Sequence, residues 1–445
     1  MLRILFMLYI FFMPMGSFFN IPSTGTATAI KFMGLNMALI GIIIIFIHER
    51  RVKLTPILNA FLFQYYFMVA YSVLAAIILT FVLETQFEPP LSCITGDIVL
   101  YFEQMLAVYF VYYCLNYVCS YQDIYKALNW QIIVSLLFGI LQILAVLGFG
   151  PAASIYEILS LVIKLVPIEQ LVTSERGITL LGPEVSTLTL YCFITIPYIL
   201  YRIFYSSAHR LLFIVAFLAF VFLFIATLST QNMIVLISVI ISFVLLSFSK
   251  KFFKPLLFCA FIAGFTLVMI TRIDDIEIEN NNMDHNSLEY VIMGKAVDKD
   301  NMSTQMRAST IINDIKIFES NVVYGVGDGC QGYWYKDNIP DWCKESPEVM
   351  NIINNNGVPN GGGAFFPCYL SAYGIIGVVM LLIFIGRYRK FLKYSMVYED
   401  NQTEMIHMIS MIVIMFSCWY TVNFRETPFA WLTLALPLCD KRIVK

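Results

Sequence analysis

The run KPLLFCAFIAGFTLVMIT (Lys254–Thr271) gives way at once to RIDDIEIENNNMD (Arg272–Asp284). The first stretch is apolar and of membrane-spanning length, and the second is polar and acidic. Working outward, the polar stretch continues to Phe365 and holds about half of the chain's 30 Asp and Glu residues. On both sides of it lie further apolar segments of about twenty residues, joined by short loops. The chain therefore reads as an all-α polytopic integral membrane protein carrying one large extramembrane insertion.

Composition agrees. Of the 445 residues, 59% are hydrophobic and 13% charged, against about 25% charged in soluble domains. The formal charge of -2 says nothing about nucleic acid, and no basic stripe or zinc-ligand spacing points to such a partner. The N-terminal run after Met1-Leu2-Arg3 lacks a small-residue cleavage site at Met13-Pro14-Met15-Gly16 and reads as a retained first helix.

About twelve spans are expected, at 3–20, 29–47, 57–83, 97–118, 131–149, 186–205, 210–228, 232–249, 254–271, 366–386, 405–422 and 427–440. The insertion separates the ninth from the tenth. Three regions follow: 1–271 with an external amphipathic segment at 150–185, the loop 272–365, and 366–445. Basic clusters recur at Arg50, Arg51 and Lys53, at Arg202 and Arg210, at Lys250, Lys251 and Lys254, at Arg387, Arg389, Lys390 and Lys393, and at Lys441, Arg442 and Lys445. With twelve spans, all of them fall on one side with both termini. That side is expected to be cytoplasmic and the insertion external. Ala152 to Leu171 alternates apolar residues with Glu157, Lys164 and Glu169, as in a helix lying in the interface.

Arginines on the outer side are few. Arg176 sits in Ser174-Glu175-Arg176-Gly177-Ile178, before Gly182-Pro183-Glu184. Arg307 opens an expected helix whose apolar face is Ile311, Ile312, Ile315 and Phe318, with Ser303 as N-cap. Arg425 lies in the turn Asn423-Phe424-Arg425-Glu426-Thr427. Three guanidinium groups on one face suit a phosphate-bearing ligand; headgroup contact or a local pair such as Arg425 with Glu426 is the plainer reading. In Tyr324-Gly325-Val326-Gly327, alternate glycines fit either an anion-binding nest or a tight turn. Tyr333, Trp334, Tyr335 and Trp342 suit sugar stacking or interfacial anchoring. Glu103, inside the fourth span, needs a wet cavity or a partner. His285 and His407 have no motif around them. Asp274-Asp275 is a weak metal match, so no metal or cofactor is expected. Cys330 and Cys343 are either a disulfide or two thiols.

This pattern resembles the bacterial O-antigen polymerase (Wzy) family. The resemblance rests on Arg176-Gly177 through Glu184, with Gly182-Pro183-Glu184-Val185-Ser186 standing for a Glu-Pro-Ser-like element whose Pro and Glu are reversed. It rests also on Arg307 followed by Gly325-Val326-Gly327, and on a next span opening Tyr373-Gly374-Ile375-Ile376-Gly377. Related O-antigen ligases carry a histidine late in the loop, where this chain reads Val358-Pro359-Asn360-Gly361-Gly362. The resemblance implies a GT-C-like, metal-independent glycosyltransferase in the bacterial inner membrane. Its donor would be a glycan on undecaprenyl diphosphate and its acceptor one lipid-linked repeat unit. Membrane lipids and a chain-length regulator protein are the other implied partners. Arg176 and Arg307 would act with Glu184 in catalysis, Glu184 as base before Glu426. Arg425, Glu426, Gly325, Gly327, Tyr324 and Glu103 would bind substrate. A ligase and a lipid-linked oligosaccharide flippase or transporter are the alternatives, although no internal repeat supports the last.

Overall fold

The computed structural model describes residues 1–15, 33–50, 56–82, 90–162, 178–182, 188–227, 229–270, 300–354, 364–420 and 428–444. Within them the chain forms helices and no strand. In chain order these are α1 (Leu2–Phe11), α2 (Met33–Glu49), α3 (Pro56–Ile77), α4 (Pro90–Tyr117), α5 (Tyr121–Val146) and α6 (Gly150–Val162). Then come α7 (Thr189–Phe193), α8 (Thr195–Tyr205), α9 (Arg210–Ala226), α10 (Thr230–Phe248) and α11 (Phe253–Ile270). The insertion contributes α12 (Met302–Ser320), α13 (Tyr335–Asn338) and α14 (Pro347–Asn354), and the chain ends with α15 (Phe365–Leu392), α16 (Asn401–Tyr420), α17 (Pro428–Ala435) and α18 (Lys441–Val444).

Six of the described helices are long and apolar enough to cross a membrane, and four shorter ones are apolar over most of their length. The protein is therefore an all-α membrane protein. Apolar composition alone makes these helices, because a chain in lipid must satisfy every backbone group within itself. Caps mark their ends where the sequence permits. Asp123 accepts the Ser120 N–H at 3.0 Å at the start of α5, and the same carboxylate takes the Arg3 guanidinium at 2.6 Å. Ser229 caps α10 through the Asn232 N–H.

One expected span, 3–20, is helical over Leu2–Phe11 and turns at 12–15, and another, 186–205, is not a continuous helix. The latter is split at Ile194 (φ -131°, ψ -42°) into α7 and α8. Pro197 lacks the N–H that would bond the carbonyl of Phe193, four residues earlier. The Ser410 hydroxyl of α16 supplies that carbonyl with a donor, as neighbouring helices do for broken spans. Ser410→Ala is expected to leave the carbonyl unsatisfied at a cost of about 1–3 kcal/mol. A lower unfolding midpoint of the detergent-solubilised protein would register it.

The main core joins α1, α2, α4, α5, α7–α10, α16 and α17 around Phe110, Tyr112, Phe193, Ile196, Phe220 and Ile409. His407 is buried in the same region, 3% exposed. Leucine, isoleucine and phenylalanine side chains on the outer flanks of α2, α5 and α9, such as Ile43, Leu137 and Leu211, are exposed, as lipid-facing residues must be.

Candidate functional site

The insertion is organised by α12. Asn301, rather than Ser303, caps it: its side chain accepts the Thr304 N–H at 3.3 Å. Its apolar residues divide among three neighbours. Ile311 and Ile315 pack with Val268 of α11, Phe366 and Leu370 of α15 and Trp419 and Tyr420 of α16. Ala308 and Ile312 meet Cys343 and Trp342, and Ile317 joins Cys330, Val326, Ala76 and Leu79. Cys330 and Cys343 thus lie in separate clusters as thiols, and no disulfide joins them. Polar bonds complete the insertion. Lys316 Nζ donates to the Asn338 carbonyl at 2.6 Å, Asn338 Nδ2 to Asn313 Oδ1 at 3.0 Å, and the Ser309 and Tyr335 hydroxyls bond at 2.6 Å. Burial pushes the Tyr335 phenol up to about 12.

Arg307 is half-buried on α12, one turn before Ile311. It forms no ion pair with the described residues.

The two glycine elements singled out separately in the sequence meet. Inside α15, Gly374 adopts φ 56°, ψ -151°, a region essentially open to glycine alone. That break removes two helical rungs, freeing the carbonyls of Ser371 and Ala372 and the N–H groups of Ile375 and Ile376. The insertion restores all four. Val326 and Gly327 donate to Ser371 and Ala372 at 2.9 and 2.8 Å, and Ile375 and Ile376 donate to Val322 and Val323 at 2.8 and 3.3 Å. The approach leaves no room for side chains: a Cβ on Gly325 would meet the Ala372 backbone at 2.5 Å and one on Gly327 would meet Ala75 Cβ at 2.3 Å. The Gly325 N–H is taken by the Asn321 carbonyl at 2.8 Å. These amides are committed to protein carbonyls, so the turn is a docking element and not an anion nest. Tyr324 is 65% exposed, and its carbonyl accepts the Tyr71 hydroxyl.

Below the turn lies a buried polar set that composition did not reveal. Asp328, 2% exposed, accepts the Tyr101 hydroxyl of α4 and Gln331 Nε2 at 3.4 Å. Tyr101 bonds Tyr373 of α15 at 3.0 Å, and Tyr373 bonds Ser72 of α3 at 3.3 Å. Ser371 donates to Asp314 of α12 at 2.9 Å, and Gln64 donates to the Tyr369 hydroxyl at 3.0 Å. Glu103, 4% exposed, and Gln104 are buried on α4 near Tyr101; Tyr65 donates to Gln104 at 3.3 Å. Asp328→Ala is expected to take a buried acceptor from the Tyr101 hydroxyl and the Gln331 amide, lowering stability by about 1–3 kcal/mol. Thermal unfolding followed by tryptophan fluorescence measures it.

Of the expected site residues, Arg307, Gly325, Gly327, Tyr324 and Glu103 are placed as above, with Arg307 and Glu103 on different helices. Arg176, Glu184, Arg425 and Glu426 lie outside the described residues, as do Asp274, Asp275 and His285. Among the described residues, no group of three or more His, Cys, Asp or Glu side chains lies together as a metal site. The expected amphipathic segment, Ala152 to Leu171, is helical as α6 as far as Val162, turning Ala152 and Tyr156 inward and leaving Glu157 exposed, while Lys164 and Glu169 lie outside the described residues. No family model matches this chain, and no curated protein matches it.

Proposed function

We propose that this protein is an integral-membrane polysaccharide polymerase of the inner membrane, with about twelve spans and the insertion on the external face. It extends a glycan carried on undecaprenyl diphosphate by transfer to a lipid-linked repeat unit. The observation that carries this reading is Arg307. It is a half-buried guanidinium with no ion pair to a described carboxylate, on a helix docked against the ends of α11, α15 and α16 through Ile311. A cation at that level suits a diphosphate whose lipid tail stays in the bilayer.

In the reaction, the bond between the donor sugar's anomeric carbon and the diphosphate oxygen breaks, and the acceptor hydroxyl oxygen bonds that carbon. Its proton passes to a carboxylate, Glu184 first and Glu426 second. Arg307, with Arg176 and Arg425 from other segments, stabilises the departing undecaprenyl diphosphate. Two features support the assignment: the resemblance carried by Arg176-Gly177, Arg307 and Tyr373-Gly374, and the fixed attachment of the insertion to a broken helix.

A deletion strain provides the test. Surface glycan ending at one repeat per acceptor is the expected result. Bare acceptor would indicate a ligase, and lipid-linked units accumulating on the cytoplasmic face would indicate a flippase; either outcome overturns the reading.

A further inference from the structure

Between the candidate residues Arg176 and Glu184, the described stretch Ile178–Gly182 is seated in a socket made by α5 and α6. Gln142 of α5, 0% exposed, reads the backbone of one residue from both sides. Its Oε1 accepts the Leu180 N–H at 2.8 Å and its Nε2 donates to the Leu180 carbonyl at 3.1 Å. The same Nε2 reaches Thr179 Oγ1 at 3.1 Å and the Tyr156 hydroxyl of α6 at 3.3 Å. Leu180 is held at φ 53°, a left-handed conformation that non-glycine residues avoid. Its side chain fills a notch at Gly139, where a Cβ would meet Leu180 Cδ2 at 2.8 Å. Gln142 and Gly139 lie three residues apart and face the same way from α5.

An amide side chain carries a donor and an acceptor together, so it can pair with both backbone groups of a residue as a neighbouring strand would. Neither Glu nor Leu can do this. A buried left-handed leucine persists only where its surroundings over-determine it, and here they comprise one notch and one bidentate amide. Helix packing on its own does not account for a buried glutamine spent on a loop's backbone.

We infer that Gln142 is a positioning residue for the polymerase: it fixes the Ile178–Gly182 stretch, which lies in the chain between Arg176 and Glu184. This rests on the polymerase reading above. The side chain itself touches no substrate.

The test combines Gln142→Leu with a cysteine reporter, Ile178→Cys, because Ile178 is only 8% exposed. Purified proteins in lipid vesicles are treated with a membrane-impermeant maleimide, and labelling at position 178 is read by peptide mass spectrometry. Polymer turnover on lipid-linked repeat units is measured on the same preparations, normalised to monodisperse protein. Gln142→Leu is expected to raise the labelling rate at least about tenfold and to lower turnover about a hundredfold, the cost of ångström-scale misplacement of reacting groups. Tyr156→Phe, which removes one contact but keeps both bonds to Leu180, is expected to hold turnover within about twofold. Unchanged labelling overturns the clamp. Raised labelling with normal turnover, or an equal loss in Tyr156→Phe, overturns the positioning role. If Gln142→Leu fails to fold, Gln142→Asn, which keeps the amide but shortens its reach, is read by the same criteria. A parent protein with no turnover would refute the polymerase reading and the functional half of the inference, while the labelling result would still decide the clamp.

Discussion

Arg307→Ala is expected to cut the surface glycan of an expressing cell from a long ladder to a single repeat unit, with the protein present at its normal level. The two halves of that expectation have separate causes. The level should hold because Arg307 is half-buried and pairs with no described carboxylate, so its loss strands no buried charge. The packing of α12 runs instead through Ile311, Ile312 and Ile317, none of which changes. The glycan should shorten because a preorganised cation facing a leaving diphosphate contributes most when negative charge develops on it. Removing one such contact lowers turnover about 10²–10³-fold. Arg307→Lys keeps the charge but loses the planar fork that grips two phosphate oxygens. A ladder of intermediate length is expected for it. Gel separation of surface polysaccharide, with an immunoblot of the protein, reads both variants.

Gly374→Val should do the opposite, removing the protein before chemistry is reached. At φ 56°, ψ -151°, valine has no comfortable conformation. Its Cβ would also lie 2.6 Å from the carbonyl oxygens of Val322 and Val323. Those oxygens accept the Ile375 and Ile376 N–H groups, so they cannot retreat without breaking the bonds that replace the missing helical rungs. Left-handed strain and overpacking together cost about 2–5 kcal/mol. That is a large part of the 5–15 kcal/mol typical of a folded protein. Gly325→Val fails for the same reason from the other side, since its Cβ would strike the Ala372 backbone at 2.5 Å. Loss of monodisperse protein after detergent extraction is the expected outcome for both.

The class of fold was legible because it depends on long apolar runs, and those runs became helices. At 186–205 a single residue changed the outcome. Pro197 splits the segment expected at 186–205, and its consequence shows only when Ser410, far along the chain, is seen reaching Phe193. The N-cap of α12 moved from Ser303 to Asn301 because both residue types cap equally well and only geometry chooses between them. The glycine elements at 325–327 and 373–377 were each visible, but their pairing was not. Backbone-to-backbone bonding leaves no side-chain pattern, and the glycines mark only that something comes close. Gln142 and Asp328 were silent for a related reason: a lone polar residue in or beside an apolar helix does not name its partner. Arg307 remained conspicuous because arginines are rare in that part of the chain, Arg272 being the only other between residues 254 and 386.

The most direct test of the account uses the purified protein in lipid vesicles with undecaprenyl diphosphate-linked repeat units as the only substrate. The account predicts a ladder of lengthening lipid-linked glycans, with one undecaprenyl diphosphate released per bond formed, and loss of both with Arg307→Ala. Repeat units that remain single, with no diphosphate lipid released by a monodisperse wild-type protein, would contradict it.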